Sequence, residues 1–364
     1  MDINTYLQEL KERFNYSDEL LNFIGKSIPF MIQYYGQDKK DLILNCFRNV
    51  KIHIEEENEN IKDYLNDYFG VDKEWEIPAL AAALCDTMVK KTENSLESKT
   101  IIYVNRHFFG IYKPFDFSNE ENQSTLIHEM CHAVKGYGRE FKLQDKQIIA
   151  YQGLIENIYE YDSNSEMYNK VQSNNVGIEE ALNSYDEAQI MTLMTGKECE
   201  PNGYKAMMPA SKKLMSFPKL AKAIRISQFE NPKEWIKLIG KENSEALISG
   251  FDDWVSSMYV SIQDIMNNPD EIDSKRDRGI EKIRKFTSTY EERNDNSINN
   301  IVLHQQEGLP EEKRIKIQKI VYLMKVLASK ERALNEKQIE LGQYGKDKAL
   351  LDKDIEEKRP DERS

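Results

Sequence analysis

Apolar residues at the start of the chain recur every three or four positions, the period of a helix with one face turned inward. This predicts helices over residues 3–14 and 17–35, the second opened by Ser17 with Asp18 and Glu19 in its first turn, where acids complement the helix dipole. A helix over 41–47, a short strand over 50–54 and a helix over 60–69 closed by Gly70 follow. The period then shortens. Residues 83–89 and 100–105 read as two strands around a polar turn at 92–99, and the hairpin leads into a helix of about 16 residues. Ser118 with Glu121 three positions on forms a capping box, Gly136 supplies the stop, and Leu126, Ile127, Met130, Ala133 and Val134 give this helix a wide apolar surface. Residues 148–155 and 158–161 carry strand patterns, whereas 55–60 and 162–175 are polar and expected to be exposed connections.

Beyond Thr195 the pattern is helical throughout, with segments at 210–215, 218–228, 232–240, 244–267 and 280–292. Over 310–341, Ile317, Ile320, Val321, Met324 and Leu327 fall on one stripe suited to packing within the chain. After Gly345 the residues are mostly charged, and the last ten are expected to be disordered.

Composition narrows the class. The 364 residues are 40% hydrophobic, enough for real cores in two or three domains. No run of 18 apolar residues exists, and the N-terminus has neither the basic nor the apolar region of a secretory signal, so neither a membrane span nor Sec export is expected. Cys46, Cys85, Cys131 and Cys199 are scattered without metal or disulfide spacing, which points to a reducing, cytoplasmic setting. A net charge of −13 argues against nucleic acid as a partner. The basic clusters at 275–278 and 282–285 are interrupted by acids, as on a solvated helix face.

One segment carries a chemistry of its own. In His128-Glu129-Met130-Cys131-His132 two imidazoles four apart share one helix face, where a single metal ion can bridge them. Glu129 stands beside that ion without ligating it, as a general base for a metal-bound water must. With 5 His and 63 acidic residues in the chain, independent draws would produce the pattern roughly 0.01 times. Cys131 points off the metal face and reads as a small buried hydrophobe.

A hairpin followed by an H-E-x-x-H helix resembles the zincin metallopeptidases over roughly residues 75 to 195. The resemblance implies an α+β fold with a small sheet, the H-E-x-x-H helix and a second metal-ligand helix. It also implies a Zn2+ cofactor and a peptide or protein substrate lying along an edge strand, expected at residues 101–104. The further downstream His of metzincins is missing, since the next His is His304. Residues 177–185, Gly-Ile-Glu-Glu-Ala-Leu-Asn-Ser-Tyr, instead resemble the second metal helix of gluzincins, in which a Glu followed by a small residue completes a His-His-Glu site. That match places the third ligand at Glu180, next to Ala181, with Glu179 as the alternative and Glu187 and Glu156 in reserve. The gap from His132 to Glu180 is longer than in thermolysin-like members, so 137–176 form an insert. The position four after Glu180, often an acid that orients a ligating His, is Ser184, and Asp186 or Glu187 could substitute.

The domain plan is then 1–75 as a helical N-terminal part that packs against the sheet to form the upper lobe, 76–196 as a zincin-like catalytic core, 197–345 as a helical C-terminal domain and 346–364 as a charged, partly disordered tail. The implied activity is zinc-dependent peptide hydrolysis, with His128, His132 and Glu180 holding the metal and Glu129 as general base. Tyr185, Tyr151 and His107 are candidates for the donor to the developing oxyanion. Two other readings stay open: a non-catalytic zincin-like binding or regulatory protein, and a peptidase toxin or effector delivered without a Sec signal.

Overall fold

A computed structural model of the chain describes residues 3–71, 82–91, 96–108, 111–139, 141–144, 147–163, 167–258 and 269–305. The expected segments at 310–341 and 346–364, the hairpin turn at 92–95 and the end of the helix expected over 244–267 lie outside them. The fold is mixed α+β. Helices α1 (Ile3–Phe14), α2 (Asp18–Tyr35) and α3 (Lys40–Asn49) precede strand β1 (Lys51–Ile54) and helix α4 (Ile61–Phe69). Ser17 caps α2 by accepting from Leu20 N, and Gly70 ends α4 in the left-handed conformation.

Strands β2 (Ala83–Lys91) and β3 (Leu96–Val104), the short hairpin of β4 (His107–Phe108) and β5 (Ile111–Tyr112), and helix α5 (Glu120–Gly136) follow. A meander of β6 (Lys142–Gln144), β7 (Gln147–Gln152), β8 (Ile155–Asp162) and β9 (Met167–Asn174) then leads into helix α6 (Val176–Thr195). The main sheet has seven strands in the order β1-β3-β2-β9-β8-β7-β6. The insert expected over 137–176 therefore supplies four of the seven strands of this sheet. Residues 162–175, read as an exposed connection, contain β9, whose polar residues at 169–174 are those a solvent-facing strand carries.

The strand expected at the sheet edge is internal. Ile101 to Val104 pair with β2 on one side and, in parallel register, with Lys51 to Ile54 of β1 on the other. Four consecutive apolar residues are the signature of a strand buried on both faces. Ile102 and Val104 join the core formed with α1, α2, α3 and α5, and Ile101 and Tyr103 pack with Leu65 of α4. At the end of the β1–β3 ladder stands Glu55, also expected in an exposed connection. It is buried and accepts from the backbone N–H groups of Arg106 and His107 at 2.5 and 3.0 Å.

The chain divides into two compact units, residues 1–205 with 222–238, and 206–221 with 239–364. The N-terminal helices share a unit with the sheet, where α2, α5 and the inner face of the sheet bury one continuous apolar core. The first unit runs to Lys205, and residues 222–238 return to it. Helices α7 (Met208–Met215), α8 (Pro218–Phe229), α9 (Glu234–Ile239), α10 (Lys241–Met258) and α11 (Pro269–Gln305) complete the described chain. In the second unit α10 and α11 cross at Gly250 and Gly279, where a Cβ on Gly279 would lie 2.5 Å from the Gly250 carbonyl oxygen. Among the described residues no helix is long and apolar enough to cross a membrane.

Candidate metal centre

Helix α5 starts one residue later than the capping box suggests. Asn119 is the cap, its side chain accepting from the N–H groups of Glu121 and Asn122 at 2.9 and 3.1 Å, while the Ser118 hydroxyl donates to Asp116. Gly136 is the last helical residue and Tyr137 the C-cap. Between these ends the helix is buried from Leu126 to Lys135. Its Cys131 side lies in the core shared with α2, so the His128 and His132 rings face the other way, 5.0 Å apart between centroids.

Helix α6 brings Glu180 to both rings. Its carboxylate lies 3.1 Å from His128 Nε2 and 3.4 Å from His132 Nε2. One ligand atom from each of the three residues falls within 4.8 Å of the others, an arrangement that can hold a metal ion. The donor set fits such an ion chemically, since two neutral imidazole nitrogens and one carboxylate are the ligands of catalytic zinc centres with a position left open. Burial disfavours the charged forms of Glu180 and His128, but the two imidazoles outweigh it for Glu180, and hydrogen bonds and attraction from Glu180 and Glu187 outweigh it for His128. Glu180 is held well below the usual carboxylate range, and the His128 imidazole is raised well above its ordinary value.

Glu179, the alternative ligand, turns away. It is fully buried and receives Lys135 Nζ at 2.6 Å, the Leu154 N–H at 2.9 Å and Gln228 Nε2 at 3.2 Å. Glu156 accepts from the Tyr151 hydroxyl at 2.8 Å and from Asn174.

Glu187 takes the part that Ser184 leaves open. It lies seven residues after Glu180, two helical turns, and therefore on the same side of α6. The His128 Nδ1–H donates to it at 2.9 Å, which turns Nε2 toward Glu180 and fixes the tautomer. The other acceptor sites of this carboxylate are used by the Ser124 hydroxyl and by the Asn202 N–H at 2.8 Å. A second restraint comes from Asn183, whose amide donates to the His128 carbonyl at 2.8 Å.

Glu129 is buried beside the two rings. Burial pushes its carboxyl up, and the imidazoles of His128 and His132 pull in the opposite direction. Of the proposed oxyanion donors, Tyr151 is engaged with Glu156, and His107 sits in the β4–β5 hairpin against Glu55 and the Glu57 carbonyl. Tyr185 is half-buried on α6. The aromatic residue that does stand at the site was not singled out in the sequence. Tyr204 stacks on His128 with ring centroids 6.0 Å apart and holds φ at +50°, unusual for a non-glycine residue. Neither Tyr204 nor Asn202 carries a sequence signal, since both belong to the irregular segment after α6.

Comparisons with known protein families, curated proteins and solved structures find no match.

Proposed function

We propose that the protein is a zinc-dependent metallopeptidase of gluzincin-like type, with His128, His132 and Glu180 as zinc ligands and Glu129 as general base. The observation that carries this reading is the convergence of Glu180 on the Nε2 atoms of both motif histidines, with Glu187 orienting the first from behind. Zinc bound there would acidify a water and polarise the scissile carbonyl. Glu129 takes the proton of the attacking water and delivers it to the departing amine, work suited to a buried carboxyl whose proton affinity is raised. A purely structural ion would have no use for such a base. The strand edge for an extended peptide is residues 83–86 of β2, which pack beside α5 and pair, among the described residues, with β3 alone.

The test is metal analysis of the purified protein together with peptide hydrolysis by wild type and Glu129→Gln. One zinc per chain in both, with turnover only in wild type, is the expected result. Absence of bound zinc, or equal turnover by the two proteins, would refute it.

A further inference from the structure

Behind the metal ligands lies a second, fully buried set of charges. Lys135 of α5 has no solvent exposure, and its Nζ lies 2.6 Å from Glu179 and 3.0 Å from Asp186, both buried on α6. Each of these acids immediately precedes a functional one, Glu179 before Glu180 and Asp186 before Glu187. The two pairs are seven residues apart, two turns, so α6 presents Glu180 and Glu187 to the imidazoles and an adjacent line, Glu179 and Asp186, to Lys135. Lys135 in turn stands three residues after His132 and seven after His128. One ammonium therefore ties residues from two successive levels of α6, whose backbones are about 10.5 Å apart along the axis, to the helix that carries both histidines.

Each acid is fixed from outside as well. Asp186 accepts from Arg225 at 2.6 and 2.9 Å, from the Tyr34 hydroxyl at 2.8 Å and from the Tyr35 hydroxyl at 3.1 Å. Glu179 is held by Leu154 and Gln228.

We propose that Lys135 is a positioning residue that locks the rotation of α6 against α5 and so sets the distance from Glu180 to the two imidazoles. The geometry supplies the magnitude. A side-chain group about 5–6 Å from the helix axis moves about 1 Å when the helix turns by about 10°. Metal–ligand distances tolerate only about 0.2 Å. A single ion pair at one level of α6 would leave that rotation free, whereas grips two turns apart remove both the turn and the tilt. The acids Glu179 and Asp186 then have a reason to sit next to the imidazole-facing acids, which is that each locks the turn its neighbour occupies.

This inference rests on the proposed zinc site, and the experiment separates the two. Zinc affinity by chelator competition and the visible spectrum of the cobalt-loaded protein are measured for wild type, Glu179→Gln, Lys135→Met and Lys135→Met/Glu179→Gln. Circular dichroism and urea unfolding are followed in parallel. The double variant replaces the buried pair with uncharged groups of similar size and should recover stability lost in Lys135→Met. If Lys135 positions α6, the double variant stays folded yet binds zinc 10–100-fold more weakly than wild type, the range seen when groups supporting metal ligands are removed. Its cobalt spectrum is altered as well. A double variant with wild-type affinity and an unchanged spectrum would show that Lys135 serves stability only. Should the lysine variants not fold, Glu179→Gln decides in the same way, because it keeps an acceptor for Leu154 while weakening the grip on Lys135. Failure of the wild type to bind zinc or cobalt would instead overturn the metal site itself.

Discussion

Gly153, in the turn between β7 and β8, is the position at which a single methyl group should do most damage near the site. Its φ of +62° is left-handed, and a Cβ built there would lie 2.4 Å from both Cδ and Oε1 of Glu179. Carbon contacts become favourable only near 3.5 Å, so in Gly153→Ala the carboxylate must retreat by about 1 Å. It is not a free side-chain end, since Lys135, Leu154 and Gln228 all hold it in a buried place. The backbone conformation costs about 1 kcal/mol for a residue with a Cβ. Losing the Leu154 bond to a charged acceptor costs about 1.5–3 kcal/mol more, and stretching the Lys135 pair adds to it. The expected total is about 3–5 kcal/mol. Gly70→Ala isolates the backbone contribution, because Gly70 has the same left-handed geometry, φ +70°, with nothing within 4 Å of the added Cβ. Urea unfolding of both variants, with unchanged slopes, gives the two values directly. Equal losses of about 1 kcal/mol would show that the Glu179 carboxylate is not clamped, and the reasoning behind the α5–α6 lock would lose its main support.

Glu187→Ala should weaken zinc binding 10–100-fold through loss of the His128 orienter, while Ser184→Ala should leave it unchanged, since the Ser184 hydroxyl has no hydrogen-bond partner among the described residues; competition titration compares them. Zinc at about 100 times its dissociation constant should stabilise the protein by about 2.7 kcal/mol in thermal unfolding, an effect absent in Glu180→Ala. Asp186 supplies a pH test. Burial alone would raise its carboxyl, but Arg225 and Lys135 outweigh that and hold it well below the usual carboxylate range. The unfolded chain then takes up the proton first as pH falls. The stability that Asp186 contributes is complete above the ordinary carboxylate pKa near 4 and is lost progressively below it. The difference in urea midpoint between wild type and Asp186→Asn should accordingly stay level above about pH 5 and shrink as the pH falls through about 4 toward 3; a constant difference would contradict the pairing.

Local pattern was enough to determine much of this protein. Helical periodicity and end signals located α1, α2, α4 and α5, because an amphipathic helix writes its buried face into its own spacing. The histidine pair was legible for the same reason, since the two candidate ligands and the proposed base lie within five consecutive residues of one helix. Glu180, expected from a short resemblance, does lie beside both rings in the fold. What could not be read is whatever depends on which distant segment arrives beside a given one. The run at 101–104 looks like a strand from its own residues, but only β1, docking in parallel from fifty residues upstream, makes it internal. Strand β9 was missed because its outer half faces solvent and reads as a polar loop. The division of labour among Glu179, Glu180, Asp186 and Glu187 is likewise invisible in one dimension. Helix α6 is buried on nearly all sides, so its spacing marks no single inward face, and four acids of one chemistry differ only in what meets them. Two find imidazoles and two find Lys135, and the packing of α5 against α6 made that choice.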